Sequence, residues 1–503
     1  MDLMAIDLGT SSVKVTVTDS ESGNVLALGK KSYSLYTPRH GWVETNPEIW
    51  WDSTVDAIRQ CLDHYKKTTE QIASIGFSGQ MHGIIPIDKN NAPLYNCIMY
   101  SDSRSESILK HFPDDLKHTL EYKSYNPLTS MMSAPKLLWL SLNEKDIWKN
   151  TLKWLMPKDY IRMKLTGKIS TDISDASGTS MMDYSEYSWI SDIEKVGLNL
   201  EKFPEIKLSH EVVGEITKKA ANLTGLKIGT PVVCGGADMA CTALGTGAIK
   251  SGVASVTIGS AGHVIISMDD VNHDNVDKFY QMCHAIPGKY YAFGPLTSGG
   301  ISLSWFRDRL IEVSDNLSYS TINDIANTST PGSSGLFFLP YLTGIVVPHS
   351  DPFARGAFVG LSLKTSTGDM LRSIMEGVGY GLKDILDVMQ MSGINVEKCN
   401  IADGGSKSDL WCSILASIFN FPESAVMVNK DSAPIGATIL AGIGVGIYSD
   451  WEQAVNKLND SISIPVNSAL SDYYMNSYKI YKEMYPQLSN IFCKINNLEQ
   501  FHL

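Results

Sequence analysis

The sequence predicts an α/β protein of two related lobes, each a mixed sheet flanked by helices. Three observations lead there. Strand-like and helix-like periods alternate along nearly the whole chain. A strand–turn–strand pattern near the N-terminus returns half a chain later. A length of 503 residues also exceeds what one simple core holds, which points to about two to four units.

The first element, Met4 to Asp19, reads MAIDLGTSSVKVTVTD: an apolar strand, a tight turn, and a return strand of alternating apolar side chains. In the turn, Gly9 admits a bulky anion close to the backbone, and the N–H groups and hydroxyls of Thr10, Ser11 and Ser12 suit phosphate oxygens. Asp7 would repel that anion unless a divalent cation lay between them. Asp7 is thus the candidate metal residue and Gly9 to Ser12 the candidate phosphate contacts. A plain hairpin with an exposed acid is the alternative. Lys14 reads as an exposed strand lysine rather than a phosphate ligand.

Residues Ala254 to Ser267, ASVTIGSAGHVIIS, repeat the plan. Setting Leu8-Gly9-Thr10-Ser11 over Ile258-Gly259-Ser260-Ala261 puts Thr257 opposite Asp7. Gly259 and Ser260 become a second phosphate cradle, with the cation kept on the acidic first side.

Between the two hairpins, Asn46-Pro47 caps a helix whose Trp51, Val55, Ile58 and Leu62 form one stripe. A strand, Ile72–Phe77, runs into Ser78-Gly79-Gln80-Met81-His82-Gly83, a strand-end loop of the sort that holds ligands in α/β proteins. A strand at Ile84–Ile87 and helices at Ser133–Leu142 and Pro157–Thr166 follow, the last closed by Gly167. The strand in Pro231–Gly247 ends at Gly235-Gly236-Ala237 and meets Asp238 at the start of a small-residue helix. There the helix dipole and free N–H groups should keep the carboxylate ionised. Asp238 is either a helix cap or the acceptor of a hydroxyl proton during phosphoryl transfer.

Farther on, Asp269–Asp277 and Ser314–Ser334 read as polar surface loops or lids of the second half, and Lys364–Leu382 as a helix with Met370, Ile374, Val378 and Leu382 on one face. A loop at Ala402–Ser406 leads into another helix. Pro434–Gly446, rich in Gly and Ala, suits the approach of a flat ring. Tyr474, Tyr478, Tyr481 and Tyr485 make a helical stripe that reads as a docking face. The expected divisions are 1–247, 248–450 and a helical extension, 451–503.

Composition narrows the function. A net charge of −12 disfavours a nucleic-acid partner. Eight cysteines without a C-x-x-C pair suit reduced, buried thiols. The uncharged stretches Gly332–Val347 and Pro434–Tyr448 are broken by Gly or Pro, and no signal peptide opens the chain, so no membrane partner and a cytoplasmic location are expected.

Taken in order, these stations resemble the FGGY carbohydrate kinase family, from Met4 to about Gly446. They are Asp7-Leu8-Gly9-Thr10-Ser11, Gly41-Trp42-Val43-Glu44, Gly79-Gln80-Met81-His82-Gly83, Pro157-Lys158-Asp159-Tyr160, Thr171 to Thr179, Gly235-Gly236-Ala237-Asp238, Ile258 to Gly262 and Gly404-Gly405-Ser406. The Gln-Met-His-Gly and Ser-Asp-Ala-Ser-Gly-Thr strings are most similar to the xylulose-phosphorylating members. The resemblance implies two actin-like, ribonuclease-H-like lobes with ATP in a cleft between them. It implies Mg²⁺ organised by Asp7 through water, and phosphates held by Gly9, Thr10, Ser11, Ser12, Gly259 and Ser260. It implies adenosine beside Gly404, Gly405 and Gly436, and a sugar lined by Gln80, Met81, His82, Asp102 and Asp238, with Asp238 as general base. Without the resemblance, His82 reads as an ordinary loop histidine. The implied reaction is ATP-dependent phosphorylation of the terminal hydroxyl of a ketopentose, D-xylulose, giving D-xylulose 5-phosphate. A homodimer stays open.

The chain departs from the family pattern at four places. Met239 stands where Asn is usual after the base, and Tyr100-Ser101-Asp102 replaces Trp-Asn-Asp. Gly344-Ile345-Val346-Val347-Pro348 replaces Gly-Glu-Arg-Thr-Pro, and Ser260-Ala261 replaces Thr-Ser. Each loss changes a hydrogen-bonding site through which sugars are told apart. A kinase for ribulose, gluconate or a polyol, a sugar-binding pseudoenzyme, and a nucleotide-switched chaperone or filament protein are the alternatives.

Overall fold

The computed structural model describes residues 1–311, 317–421, 426–428, 431–459 and 461–500. Two compact units divide the chain, and neither is continuous. The first comprises Met1–Ile249, Asp269–Tyr291 and Asp431–Asp460; the second comprises Lys250–Met268, Ala292–Lys430 and Ser461–Leu503. The units interleave where the sequence suggests consecutive divisions, because Asp269–Tyr291 and Asp431–Asp460 pack with the first.

In the first unit, β1 (Asp2–Leu8), β2 (Ser12–Asp19), β3 (Val25–Ser32), β4 (Ile72–Gly79), β5 (Val212–Glu215) and β6 (Pro231–Val233) form one sheet in the order β5-β6-β4-β1-β2-β3. A short β7 (Gly236–Ala237) pairs with the end of β4. β1 runs antiparallel to β2 and parallel to β4. Its run Leu3, Met4, Ala5 and Ile6 is fully buried, as a central strand covered on both faces requires. One cover is the helix Pro47–His64, begun by Asn46, whose side chain accepts from Glu48 N at 3.0 Å. Pro157–Thr166 is helical as expected and ends at Gly167 with φ 72°.

The other cover comes from far along the chain. Helix Ser432–Gly444 packs on β1, β4 and helix Asp238–Gly245. Its approach is close because glycines face it: a Cβ at Gly76 would lie 1.9 Å from Ala437 O, and one at Gly245 would lie 1.8 Å from Ser432 O. Gly436 answers from the helix itself, where a Cβ would meet Cys241 O at 2.0 Å. The small residues of 434–446 thus serve contact between backbones.

The second unit repeats the topology. β8 (Val253–Ile258), β9 (Gly262–Met268), β10 (Tyr290–Leu296), β11 (Lys398–Ala402), β12 (Val426–Val428) and β13 (Ile462–Ser463) follow the order β10-β9-β8-β11-β12-β13. β8 runs antiparallel to β9 and parallel to β11, as β1 does to β2 and β4. Helix Thr367–Met391 starts with a reciprocal capping box between Ser366 and Asp369. Ser314–Ser334 holds a helix, Tyr319–Asn327, capped by Ser318, where a loop was expected; residues 312–316 lie outside the described residues.

The tyrosine stripe of helix Ser468–Gln500 docks as expected. Tyr474 Oη lies 3.0 Å from an Arg372 guanidinium nitrogen and 2.8 Å from Glu376, and Tyr481 meets Tyr341 hydroxyl to hydroxyl at 2.9 Å. All eight cysteines are free, and only Cys493 is exposed. Among the described residues no helix is long and apolar enough to cross a membrane.

Candidate active site

The register of the first sheet brings the sequence-predicted residues to one edge. Asp7 lies opposite Lys14 on β2 and beside Ser78 on β4. The β1–β2 turn closes with Gly9 N donating to Ser12 O at 3.0 Å. Gly9 O in turn accepts from Tyr33 Oη at 2.5 Å and Gln80 Nε2 at 3.4 Å, so the turn is held from behind. Thr10 and Ser12 are half-buried and Ser11 is exposed. Lys14 is half-buried and tied to Asp431 at 3.1 Å, so it is not the exposed strand lysine expected.

Asp238 arrives at the same edge by a different strand. β7 sets Gly236 beside Ser78 and Ala237 beside Gly79, and Asp238 then opens helix Asp238–Gly245. Its Oδ1 accepts from Met239 N at 2.8 Å, but the cap position is Ala237 and Asp238 is the first helical residue, so it is not the helix cap. The carboxyl is not held ionised. Burial first, and the charge of Asp7 second, push it up to about 7, against the opposing backbone hydrogen bonds. That corrects the expectation from the helix dipole: desolvation outweighs it. A carboxyl poised near neutrality is well matched to taking a proton from a hydroxyl.

Gln80, Met81 and His82 follow β4 and are all buried. His82 has φ 64°, a left-handed conformation unusual for histidine. Its carbonyl is held by Ser133 Oγ at 3.2 Å and by the buried Lys136 Nζ at 3.4 Å. Lys136 also donates to the carbonyls of Met131 and Met132, and burial pushes it down to about 7. The His82 ring is neutral, since burial lowers it to about 3. Its Nδ1 lies 2.6 Å from Gly178 O, and a carbonyl only accepts, so Nδ1 carries the proton and Nε2 is an acceptor. Gln80 Oε1 is a second buried acceptor, without a hydrogen-bond partner among the described residues. Two such acceptors suit hydroxyl donors.

Asp102 is engaged elsewhere. Its Oδ2 accepts from Val43 N at 2.6 Å and an Arg104 guanidinium nitrogen at 2.7 Å, and its Oδ1 accepts from Arg104 N and Nε. Arg104 also bonds Glu44 at 2.7 Å and stacks 3.7 Å from the Trp42 ring. These contacts tie down the Gly41–Glu44 station.

In the second unit, Gly259 and Ser260 form the exposed tip of the β8–β9 hairpin. Gly300 N donates to Gly259 O at 2.9 Å and Ile301 N to Ser260 O at 3.0 Å. A Cβ at Gly299 would lie 2.4 Å from Gly262 N. Sequence reasoning missed this buttress, although the string Ser298-Gly299-Gly300 at a helix start was the available signal. Gly405 packs on the base of the same hairpin, where a Cβ would meet Ile258 Cβ at 2.7 Å, and Gly404 lies 3.2 Å from Ile258 O by the same construction. A cavity of about 790 Å³ in this unit is bordered by Lys407 and Asp409 just after that loop, with Asn323, Asp324, Arg372 and Tyr474 among its other walls.

The N-terminal domain of the FGGY family of carbohydrate kinases matches residues 3–245, and its C-terminal domain matches residues 254–445. The xylulose kinase of Staphylococcus epidermidis is 31% identical over 495 residues, 97% of each chain. A ligand-bound xylulose kinase from Lactobacillus acidophilus superposes with a TM-score of 0.87 at 26% identity, covering 98% of this chain and 99% of that one. A gluconate kinase from the same organism gives the same four values. The fold is accordingly of the actin-like α/β type. Duplicated hairpins, a carboxyl poised near neutrality beside Asp7, and this pair of matched domains agree: the chain belongs to the FGGY family of carbohydrate kinases and is a sugar kinase.

Proposed function

We propose that the protein transfers the γ-phosphate of ATP to the terminal hydroxyl of a ketopentose, D-xylulose, with Asp238 as general base. The observation that carries this reading is the shared edge of the first sheet, where Asp238, Asp7 and the Gln80–His82 loop all follow β4 or its neighbours. Gln80 Oε1 and His82 Nε2 accept hydrogen bonds from sugar hydroxyls. Met81 supplies an apolar wall. Asp238 takes the proton of the attacking hydroxyl, and its raised affinity for that proton helps the transfer. Asp102 acts on the pocket through Arg104 and the Val43 backbone.

Thr10, Ser11 and Ser12 hold phosphate oxygens from the first turn, and Gly259 with Ser260 from the second. Gly404 and Gly405 flank adenosine. Among the described residues no cluster of three or more acidic, His or Cys side chains is arranged to hold a metal. Asp7 would organise Mg²⁺ through water, since this cation keeps several of its waters and needs no all-protein cage. When bound, the cation neutralises charge on the transferring phosphate.

The test is ADP release across pentuloses, polyols and aldonates, with Asp238→Asn as control. D-xylulose should give the highest kcat/KM, and the Asn variant should lose about 10²–10⁴-fold in turnover while still binding ATP. Gluconate is the second reading, favoured by Met239 in place of the usual Asn and by the equal likeness to a gluconate kinase structure. An aldonate ranking above every pentulose would replace the ketopentose assignment.

A further inference from the structure

Residues 171–180 are buried without a break. Within them runs one short helix, Ile173–Ser177, capped by Asp172. An ion cluster fixes it. Lys158 Nζ, fully buried, lies 2.7 Å from Asp159, 2.8 Å from Asp172 and 2.8 Å from Asp175, and Arg162 shares Asp159 at 2.7 Å. An ammonium taken out of water is tolerated only when surrounded in this way. Burial and the neighbouring carboxylates push the Asp175 carboxyl well above its usual range, against the pull of the Lys158 ammonium. Ser177 Oγ adds a further tie, donating to Ser174 O at 2.6 Å and accepting from Cys283 N at 3.1 Å.

Each end of this turn touches a different part of the site. At one end, Ser174 Oγ gives its single proton to Asp172 Oδ2 at 2.5 Å, which leaves its lone pairs to accept from Ala237 N at 2.9 Å. Ala237 is the residue before Asp238, so this bond fixes the peptide from which the base projects. At the other end, Gly178 O accepts from His82 Nδ1, fixing the tautomer and tilt of the ring. A Cβ at Gly178 would stand 2.8 Å from Met81 Cε and 2.9 Å from His82 Cε1, so the pocket wall rests directly on this glycine.

We infer that the 171–179 segment is a brace that sets the spacing between proton acceptor and sugar anchor: Ser174 is a positioning residue for Asp238, and Gly178 is one for His82. Neither touches substrate. The inference rests on the roles of Asp238 and His82 given under the proposed function, and it assigns separate kinetic consequences to the two ends. Misplacing the base slows the chemical step without weakening sugar binding, and misplacing the ring does the reverse.

Steady-state kinetics of Ser174→Ala and Gly178→Ala, with Ser177→Ala as a control inside the same helix, test it. Ser174→Ala should lower kcat about 10- to 100-fold with sugar and ATP KM within about threefold. Gly178→Ala should raise sugar KM about tenfold or more with ATP KM unchanged and kcat within a few-fold. Ser177→Ala should lose thermal stability but keep both parameters close to wild type. If Ser174→Ala is insoluble, Ser174→Cys replaces it, since a thiol accepts the Ala237 N–H bond only weakly. The brace is overturned if Ser174→Ala keeps wild-type kcat, or if all three variants lose kcat and KM together in proportion to their melting temperatures. Those failures are distinct from failure of the underlying reading, which an active Asp238→Asn enzyme would signal.

Discussion

At the first turn, Asp7 faces Lys14, and a four-residue loop, Gly9 to Ser12, separates the closing pair Leu8 and Val13. At the second, Thr257 faces His263, and a three-residue loop, Gly259 to Ala261, separates Ile258 from Gly262. The strands around them are paired in the same order and sense. Their chemistry differs. The first turn is surrounded by charge, with Asp7, Asp238 and the Lys14–Asp431 pair. The second is neutral: Thr257 Oγ1 meets His263 Nδ1 at 3.2 Å, and burial lowers that histidine to about 4. Topology was duplicated, and only one copy carries ions. The ungapped match of the two turns also conceals a length difference, since the second loop is one residue shorter.

The largest effect expected from this asymmetry is on turnover. Asp7→Asn should lower kcat about 10²- to 10³-fold if Asp7 organises the cation as proposed, whereas Thr257→Ala should stay within about threefold. Equal losses at the two positions would break the contrast, and magnesium titration of the Asp7 variant should show a weakened requirement curve. Next comes pH. With the Asp238 carboxyl at about 7, kcat/KM should fall about tenfold per pH unit below that value, and no acid limb should be traceable to His263. The sign for stability is opposite to that of a paired acid. The folded state holds the Asp238 proton more tightly than the unfolded state does, so this group favours folding at low pH. That contribution is lost as pH rises from about 4 through about 7. Thermal melts of wild type against Asp238→Asn over that range should converge at the acid end. The smallest effect separates packing from ligand binding. Gly436→Ala should cost about 1–3 kcal/mol of stability by forcing helices apart, with ATP KM little changed. A raised ATP KM at an unchanged melting temperature would instead favour a role for Gly436 at the adenosine site.

What could be read from sequence was local. Asn46-Pro47, Pro157 to Gly167 and the Gly9–Ser12 turn each contain their own structural instructions within a few residues, and the structure follows them. Tyr319–Asn327 failed as a reading because only Ile322 and Ala326 are buried on it, a stripe too thin for periodicity to reveal among Ser, Thr and Asn. The site was visible as residues but not as electrostatics. Asp238 sits at a helix start as expected, yet its proton affinity depends on Asp7, more than two hundred positions away in the chain. Separation along the chain also hid the brace: nothing near Ser174 announces that its hydroxyl meets Ala237 N, 63 residues on, and nothing near Gly436 announces Cys241.

The interleaving of the first unit has a consequence for biosynthesis. Strand Asp2–Leu8 leaves the ribosome hundreds of residues ahead of helix Ser432–Gly444, the layer that covers it. Vectorial folding of the N-terminal part is therefore interrupted, with an apolar sheet face waiting on a late-emerging lid. Emergence of residues 432–444, rather than completion of the preceding sheet, is the event that covers that face.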